Sequence, residues 1–259
     1  MTATALITGA SGGIGLAIAE RLADDGFEPI LVARSPQRLD QAVNRLGARF
    51  GGRLAEAHVC DVADPASVAG LFERLAAKGA HLQVVVNGAG ISGGGITAQV
   101  SDQLWQNVIN TNLNGMFYVT RDALRLNLIP KGGRIVNIAS TGGKQGVLHG
   151  APYCASKHGM VGFTKALGLE LARNGSGITV NAVCPGFVET EMAERVRQHY
   201  AKLWGTDAVE TKRRVEERVP LGRYIEPTEV AAMVAYLVSP AAAGVTAQAM
   251  NVCGGLGNY

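Results

Sequence analysis

No apolar stretch in the chain reaches the roughly 18 residues that a membrane span requires, and no basic segment followed by an apolar core opens it. A soluble, cytoplasmic protein with no membrane partner is therefore expected. No Pro/Ser-rich linker, block of like charge or internal repeat divides the 259 residues, which favours one domain. Cysteine is scarce: Cys60, Cys154, Cys184 and Cys253 are widely spaced inside apolar runs and lack metal-ligand pairing, so buried reduced thiols are expected and no metal. A formal net charge of +3 is too slight to argue for nucleic acid. What remains is a chain that is 47% hydrophobic, with 34 glycines that read as turns at the ends of apolar runs.

Short β-rich runs alternate with longer helical patterns. The strands read as Thr4–Thr8, Pro29–Ala33, Arg53–Cys60, Gln83–Asn87, Arg134–Ala139, Ile178–Val183 and Ala249–Val252. Between them come helical stretches near Ile14–Asp24, Pro36–Ala48, Pro65–Ala77, Ser101–Leu126, Ala151–Arg173 and Pro227–Val238. Ser35-Pro36 and Asp64-Pro65 are cap signals, and Gly26 and Gly79 stand just past helix ends. Several strands are apolar throughout, as strands covered on both faces must be. The alternation predicts an α/β fold: a Rossmann-like, doubly wound parallel sheet of about seven strands with helices on both faces. Ligands then belong at the carboxyl ends of the strands. Between Thr190 and Pro227 the sequence turns charged and irregular, as suits a helical lid near 190–226.

Three clusters fall at that carboxyl edge. Thr8-Gly9-Ala10-Ser11-Gly12-Gly13-Ile14-Gly15 leaves a strand and opens a helix, the context in which glycines let backbone approach a dinucleotide pyrophosphate. Arg34 ends the second strand where an acid would bind a ribose and repel a 2′-phosphate, so NADPH is favoured over NADH, although Gly12 supplies no second basic residue. Asp61 could meet the adenine or cap a helix. Tyr153 and Lys157, four apart on a helix, share one face and can converge with Ser140, which follows the strand thirteen residues upstream. Such pairs are common on helix surfaces. An ammonium held near the phenol would nevertheless depress its pKa, and bringing it from ~10 to neutrality represents roughly 4 kcal/mol of preferential phenolate stabilisation. Asn112 lies in Asn110-Thr111-Asn112-Leu113-Asn114, a run of poor helix formers mid-helix. Either this is a simple irregularity, or the distortion frees a carbonyl to hold a water beside Lys157.

Thr8-Gly-x-x-x-Gly-x-Gly15, Asn87-Gly-Ala-Gly90, Asn112, Ser140, Tyr153-x-x-x-Lys157 and Pro185-Gly186, in this order, resemble the short-chain dehydrogenase/reductase family over nearly the whole chain. Gly88 departs from the family's usual second Asn. The resemblance implies a catalytic set of Asn112, Ser140, Tyr153 and Lys157. It also implies an NADPH site along Thr8, Gly9, Ser11, Gly13, Ile14 and Gly15, then Arg34, Asp61 and Val62, then Asn87, Ala89 and Gly90. Tyr153 and Lys157 complete it, with Pro185, Gly186, Val188 and Thr190 beside the nicotinamide. Ala139-Ser-Thr-Gly-Gly-Lys-Gln-Gly146 and the segment from Ala247 to Tyr259 are similar to the ketoreductases of aromatic (type II) polyketide synthases, and Ile91-Ser92-Gly93-Gly94-Gly95 resembles the hedamycin type. That group reduces one ketone, commonly C9, of a polyketide held on an acyl carrier protein, and works as a homotetramer. Ser92, Gly93, Gly94, Thr141, Gln145, Val147, Met192, Tyr200 and Trp204 are the implied substrate contacts. The lid aromatics could stack on substrate or anchor the lid; Arg195, Arg197 and Lys212-Arg213-Arg214 could attract the carrier protein or form a solvated face. Two other readings stand beside this one: a 3-oxoacyl carrier-protein reductase of fatty-acid type, and a regulator that binds NADPH without catalysis.

Overall fold

The computed structural model describes residues 3–50 and 56–258. Its seven strands are β1 (Thr4–Thr8), β2 (Glu28–Ala33), β3 (Glu56–Val59), β4 (Leu82–Asn87), β5 (Arg134–Ile138), β6 (Thr179–Pro185) and β7 (Ala249–Val252). They form one parallel sheet in the order β3-β2-β1-β4-β5-β6-β7. The order reverses between β1 and β4, which leaves a crevice at their carboxyl ends, the usual ligand position of such sheets. Residues 53–55 of the expected third strand lie outside the described residues.

Alternation along the strands builds two cores. Ala5 and Ile7 of β1 face one side and Leu6 the other, and Val84 and Val86 of β4 oppose Val85 in the same way. The first face is covered by α1 (Gly13–Asp24), α2 (Pro36–Arg49) and α9 (Pro227–Val238). The second is covered by α3 (Pro65–Ala77), α5 (Gly115–Arg125) and α6 (Ala151–Arg173), with α4 (Asp102–Ile109) packed on α6. The cap signals hold: Ser35 Oγ accepts from Arg38 N at 3.3 Å and Asp64 Oδ1 from Ala66 N at 3.0 Å. Gly26 and Gly79 take φ values of 91° and 68° beyond α1 and α3.

The expected helix over Ser101–Leu126 is divided. Asn110–Asn114 form a π-helical turn between α4 and α5, with Gly115 N bonded to Asn110 O. The region after Thr190 is more regular than its composition suggests: α7 (Glu191–Trp204) and α8 (Ala208–Glu216) occupy most of it. Its two ends are pinned to each other, because Val188 pairs with Ile225, with Ile225 N donating to Phe187 O at 2.8 Å and Glu189 N to Ile225 O at 2.9 Å. Among the described residues no helix is long and apolar enough to cross a membrane. Cys60, Cys184 and Cys253 are buried and unpaired as expected, whereas Cys154 is only half-buried.

Candidate active site

The turn after β1 is built by close backbone approach. Gly9 has φ +72°, and a Cβ on Gly15 would stand 2.3 Å from the Gly9 carbonyl oxygen, so the chain cannot turn this tightly with a side chain there. Thr8 holds this turn to the one after β4: its hydroxyl accepts from Gly88 N at 3.1 Å and Ala89 N at 3.2 Å. That arrangement accounts for Gly88, whose Cβ would lie 2.7 Å from the Thr8 carbonyl oxygen. Thr8 is thus 1% exposed and acts by joining the two turns that flank the crevice. Asn87, at the end of β4, donates to Thr120 and Asn137, and its Oδ1 is buried with no hydrogen-bond partner among the described residues. Arg34 is exposed at the end of β2. Asp61 accepts from Ala63 N at 3.0 Å and turns the loop; capping of α3 falls to Asp64, so that alternative for Asp61 is excluded. Val62 is buried beneath Gly115.

Tyr153, Ser156 and Lys157 rise from the first two turns of α6, opposite Ser140 at the end of β5. Ser140 Oγ accepts from Gly142 N at 3.0 Å, which leaves its proton for the Tyr153 phenol. Lys157 is 5% exposed, with Nζ 2.8 Å from the Ile138 carbonyl, 3.4 Å from Met160 Sδ and 5.7 Å from the Tyr153 ring centroid. The expected depression of the phenol is reversed. Burial pushes Tyr153 above its ordinary value and the Ser140 hydrogen bond only partly offsets it, because the ammonium is aimed at the strand end and not at the phenol. Burial also lowers Lys157 to about 8.

Asn112 sits in the π turn with no exposed surface, and its side chain is fully engaged. Oδ1 accepts from Ile91 N at 2.8 Å, while Nδ2 donates to Ile91 O at 3.0 Å and to Ser156 Oγ at 3.0 Å. The irregular sequence is therefore a built distortion that clamps the loop after β4. That loop is gripped again where Gly95 N donates to His149 O at 2.7 Å, and a Cβ on Gly94 would lie 2.1 Å from the same oxygen. Gly93 packs on Val108 and Leu104, while Ser92 stays exposed. Thr141 is buried; Gln145 and Val147 are half-buried, and Val147 N donates to Cys154 Sγ at 3.3 Å.

Gly186 packs against Cys253, Pro185 closes β6, and Thr190 caps α7 by accepting from Ala193 N at 3.2 Å. A Cβ on Gly13 would meet the Thr190 methyl at 3.5 Å, which brings the cap of α7 onto the glycine-rich turn. Met192, Tyr200 and Trp204 are half-buried. Tyr200 and Trp204 stack on each other with centroids 5.0 Å apart, and burial raises the Tyr200 phenol above its ordinary value. The basic run is largely neutralised from within. Arg213 pairs with Glu210 and Glu217, Arg214 with Glu210, Lys212 with Glu189 and Glu216, and Arg197 with Glu189 at 2.7 Å. A solvated, self-paired face describes these residues better than a free cationic patch.

Three contributors escaped the sequence reading. Ser156 donates to Tyr153 O at 2.7 Å while receiving Asn112 Nδ2. Asn137, an amide in the middle of an apolar strand, links Asn87 to Thr164 beneath the site. Arg38 reaches back from α2 to the glycine-rich turn; its place just inside the Ser35-Pro36 helix start, close in sequence to Arg34, was the available signal.

Comparison with known proteins agrees with this arrangement. The profile of the family described as short chain dehydrogenase matches residues 3–201. The chain belongs to that family. A Streptomyces violaceoruber protein, provisionally named ketoacyl reductase 1 of the granaticin polyketide synthase, is 59% identical over 257 residues, 98% of this chain and 93% of that protein. A solved variant of actinorhodin polyketide ketoreductase with NADPH superposes with a TM-score of 0.93 at 52% identity, covering 100% of this chain and 98% of that one. The Escherichia coli 3-oxoacyl-[acyl-carrier-protein] reductase FabG is 35% identical over 252 residues, 97% of this chain and 96% of that protein.

Proposed function

We propose that the protein is an NADPH-dependent ketoreductase that reduces a ketone, C9 in this reading, of an aromatic polyketide intermediate carried on an acyl carrier protein. The observation that carries the ketone chemistry is the meeting of Tyr153, Ser140 and Lys157 at the carboxyl end of β5, beside the loop that follows β4. The polyketide assignment is supported by the 59% and 52% identities to polyketide reductases against 35% to the fatty-acid enzyme.

The residues fit the cofactor: a tight glycine turn at a helix N-terminus suits a pyrophosphate, Arg34 suits a 2′-phosphate, and the unpaired Asn87 Oδ1 suits a donor in the crevice. When bound, NADPH supplies hydride to the ketone carbon. Ser140 and Tyr153 hydrogen-bond the ketone oxygen. The phenol, kept protonated by its burial, gives its proton to that oxygen as negative charge collects there. The Ser140 hydroxyl stabilises the tyrosinate left behind, Lys157 would hold the nicotinamide ribose, and Asn112 keeps the π turn open for a water that returns the proton. The whole chain works as one catalytic unit with residues 190–226 as the lid. Trp105, Phe117 and Leu169, exposed on α4, α5 and α6, support a homotetramer built on those helices.

The test is NADPH oxidation with a rigid bicyclic ketone, trans-1-decalone, and with an acetoacetyl thioester. Faster turnover of the bicyclic ketone is expected, and the opposite preference refutes the polyketide assignment. No oxidation with either, while NADPH still binds, would make the protein a non-catalytic binder.

A further inference from the structure

One ion pair joins the nucleotide turn to the lid, and the chemistry above does not use it. Arg38 Nη2 lies 2.8 Å from Glu191 Oε2, across 153 residues of sequence. Arg38 belongs to the first turn of α2, where its amide is bonded to the Ser35 cap. Its guanidinium rests on the glycine-rich turn, since a Cβ on Gly12 would come within 3.0 Å of Nη2. The position where the sequence offers no basic side chain is therefore supplied with one from a different element. Arg34, the cation already assigned to a 2′-phosphate, stands four residues earlier, between the end of β2 and the Ser35 cap, and is exposed.

The pair is poised for exchange. Its side chains are 45% and 66% exposed, so the bond between them is weak. A phosphate oxygen array accepts a guanidinium fork more strongly than one exposed carboxylate does. Glu191 also has a second cation one turn along α7, Arg195 Nη1 at 3.9 Å, to which it can turn. Nothing in this exchange leaves a charge uncompensated.

We propose that Arg38 is the second cation of the 2′-phosphate site beside Arg34, and that Glu191 is the counter-ion which competes with the phosphate for it. This assignment rests on the NADPH reading given above. Two nucleotides isolate it from catalysis: adenosine 2′,5′-bisphosphate, which carries the 2′-phosphate, and 5′-AMP, which lacks it. Isothermal titration calorimetry of both is expected to show three things. R38A weakens the bisphosphate about tenfold or more and moves 5′-AMP less than about twofold, the latter also reporting an intact fold. E191Q strengthens the bisphosphate about two- to fivefold, and this gain disappears in the R38A/E191Q double variant. Bisphosphate affinity in R38A within about twofold of the parent, or an E191Q gain that survives without Arg38, overturns the assignment. A parent protein that binds both nucleotides equally overturns the cofactor reading itself, and this assignment with it.

Discussion

Lys157 brings a charged group into a site where 5% of its surface remains exposed, and burial lowers its pKa from 10.5 to about 8. At pH 7 it is protonated both folded and unfolded, so the folded protein bears the full desolvation penalty, roughly 3 kcal/mol at 1.36 kcal/mol per tenfold. Lys157→Met keeps much of the stem and removes the charge, but it also leaves the Ile138 carbonyl without its 2.8 Å donor, at about 1–3 kcal/mol. The two effects oppose each other at neutral pH, and only one of them titrates. Because the folded value is depressed, the unfolded chain holds more protons between about pH 8 and 10.5. Through this one group the parent gains stability as pH rises from about 8 to 10.5 and loses it as pH falls back to 8, a contribution that Lys157→Met lacks. Urea unfolding by far-UV circular dichroism, at fixed protein concentration and pH 7, 8, 9 and 10, measures the difference between the two. The parent is expected to gain roughly 2.5 kcal/mol on the variant from pH 7 to pH 10. A difference that stays flat to within about 0.5 kcal/mol refutes the reasoning.

Four further outcomes are expected. Tyr153→Phe should slow ketone reduction by about 10²- to 10⁴-fold while NADPH binding, followed by fluorescence titration, changes less than about threefold; turnover at the parent rate would remove the phenol from the mechanism. Gly15→Ala forces a Cβ to within 2.3 Å of Gly9 O, so calorimetric affinity for NADPH should fall by more than about tenfold as the turn opens. Phe72→Ala, in a fully buried position on α3, should lower unfolding free energy by about 3–5 kcal/mol in urea with an unchanged slope. Gly94→Ala must displace the loop from His149 O, 2.1 Å away; chiral chromatography of the decalol product should show a changed ratio of alcohols, with the KM for NADPH unmoved.

The fold was legible because its signals are local and mutually consistent. Apolar runs of strand length, Pro at first helical positions and Gly past helix ends each depend on neighbours in sequence, and β1, α6, α9 and β7 fall where those signals put them. The placement of the proposed catalytic side chains was legible for the same reason, since the end of β5 and the start of α6 fix Ser140, Tyr153 and Lys157. What could not be read depends on contacts made through space. The direction of the Tyr153 shift turns on where one ammonium points, and the sequence says only that the ammonium is near. Arg38 is an ordinary helix-surface residue until α2 and α7 are docked against the same turn. The charged run of α8 stays open in sequence between a carrier-attracting patch and a solvated face until Glu210, Glu216 and Glu217 are seen to fold back on it.

The grip of Asn112 on Ile91 sets a rule for redesigning this enzyme. One amide takes both the N–H and the C=O of residue 91 and passes the remaining donor to Ser156, whose oxygen is tied to the backbone of Tyr153. Grafting a foreign sequence into 91–95 thus tugs on the backbone of Tyr153 through three successive hydrogen-bonded links. Any replacement segment must present an unblocked peptide group at its first position, which rules out proline there. Segments that violate this should forfeit turnover and selectivity together.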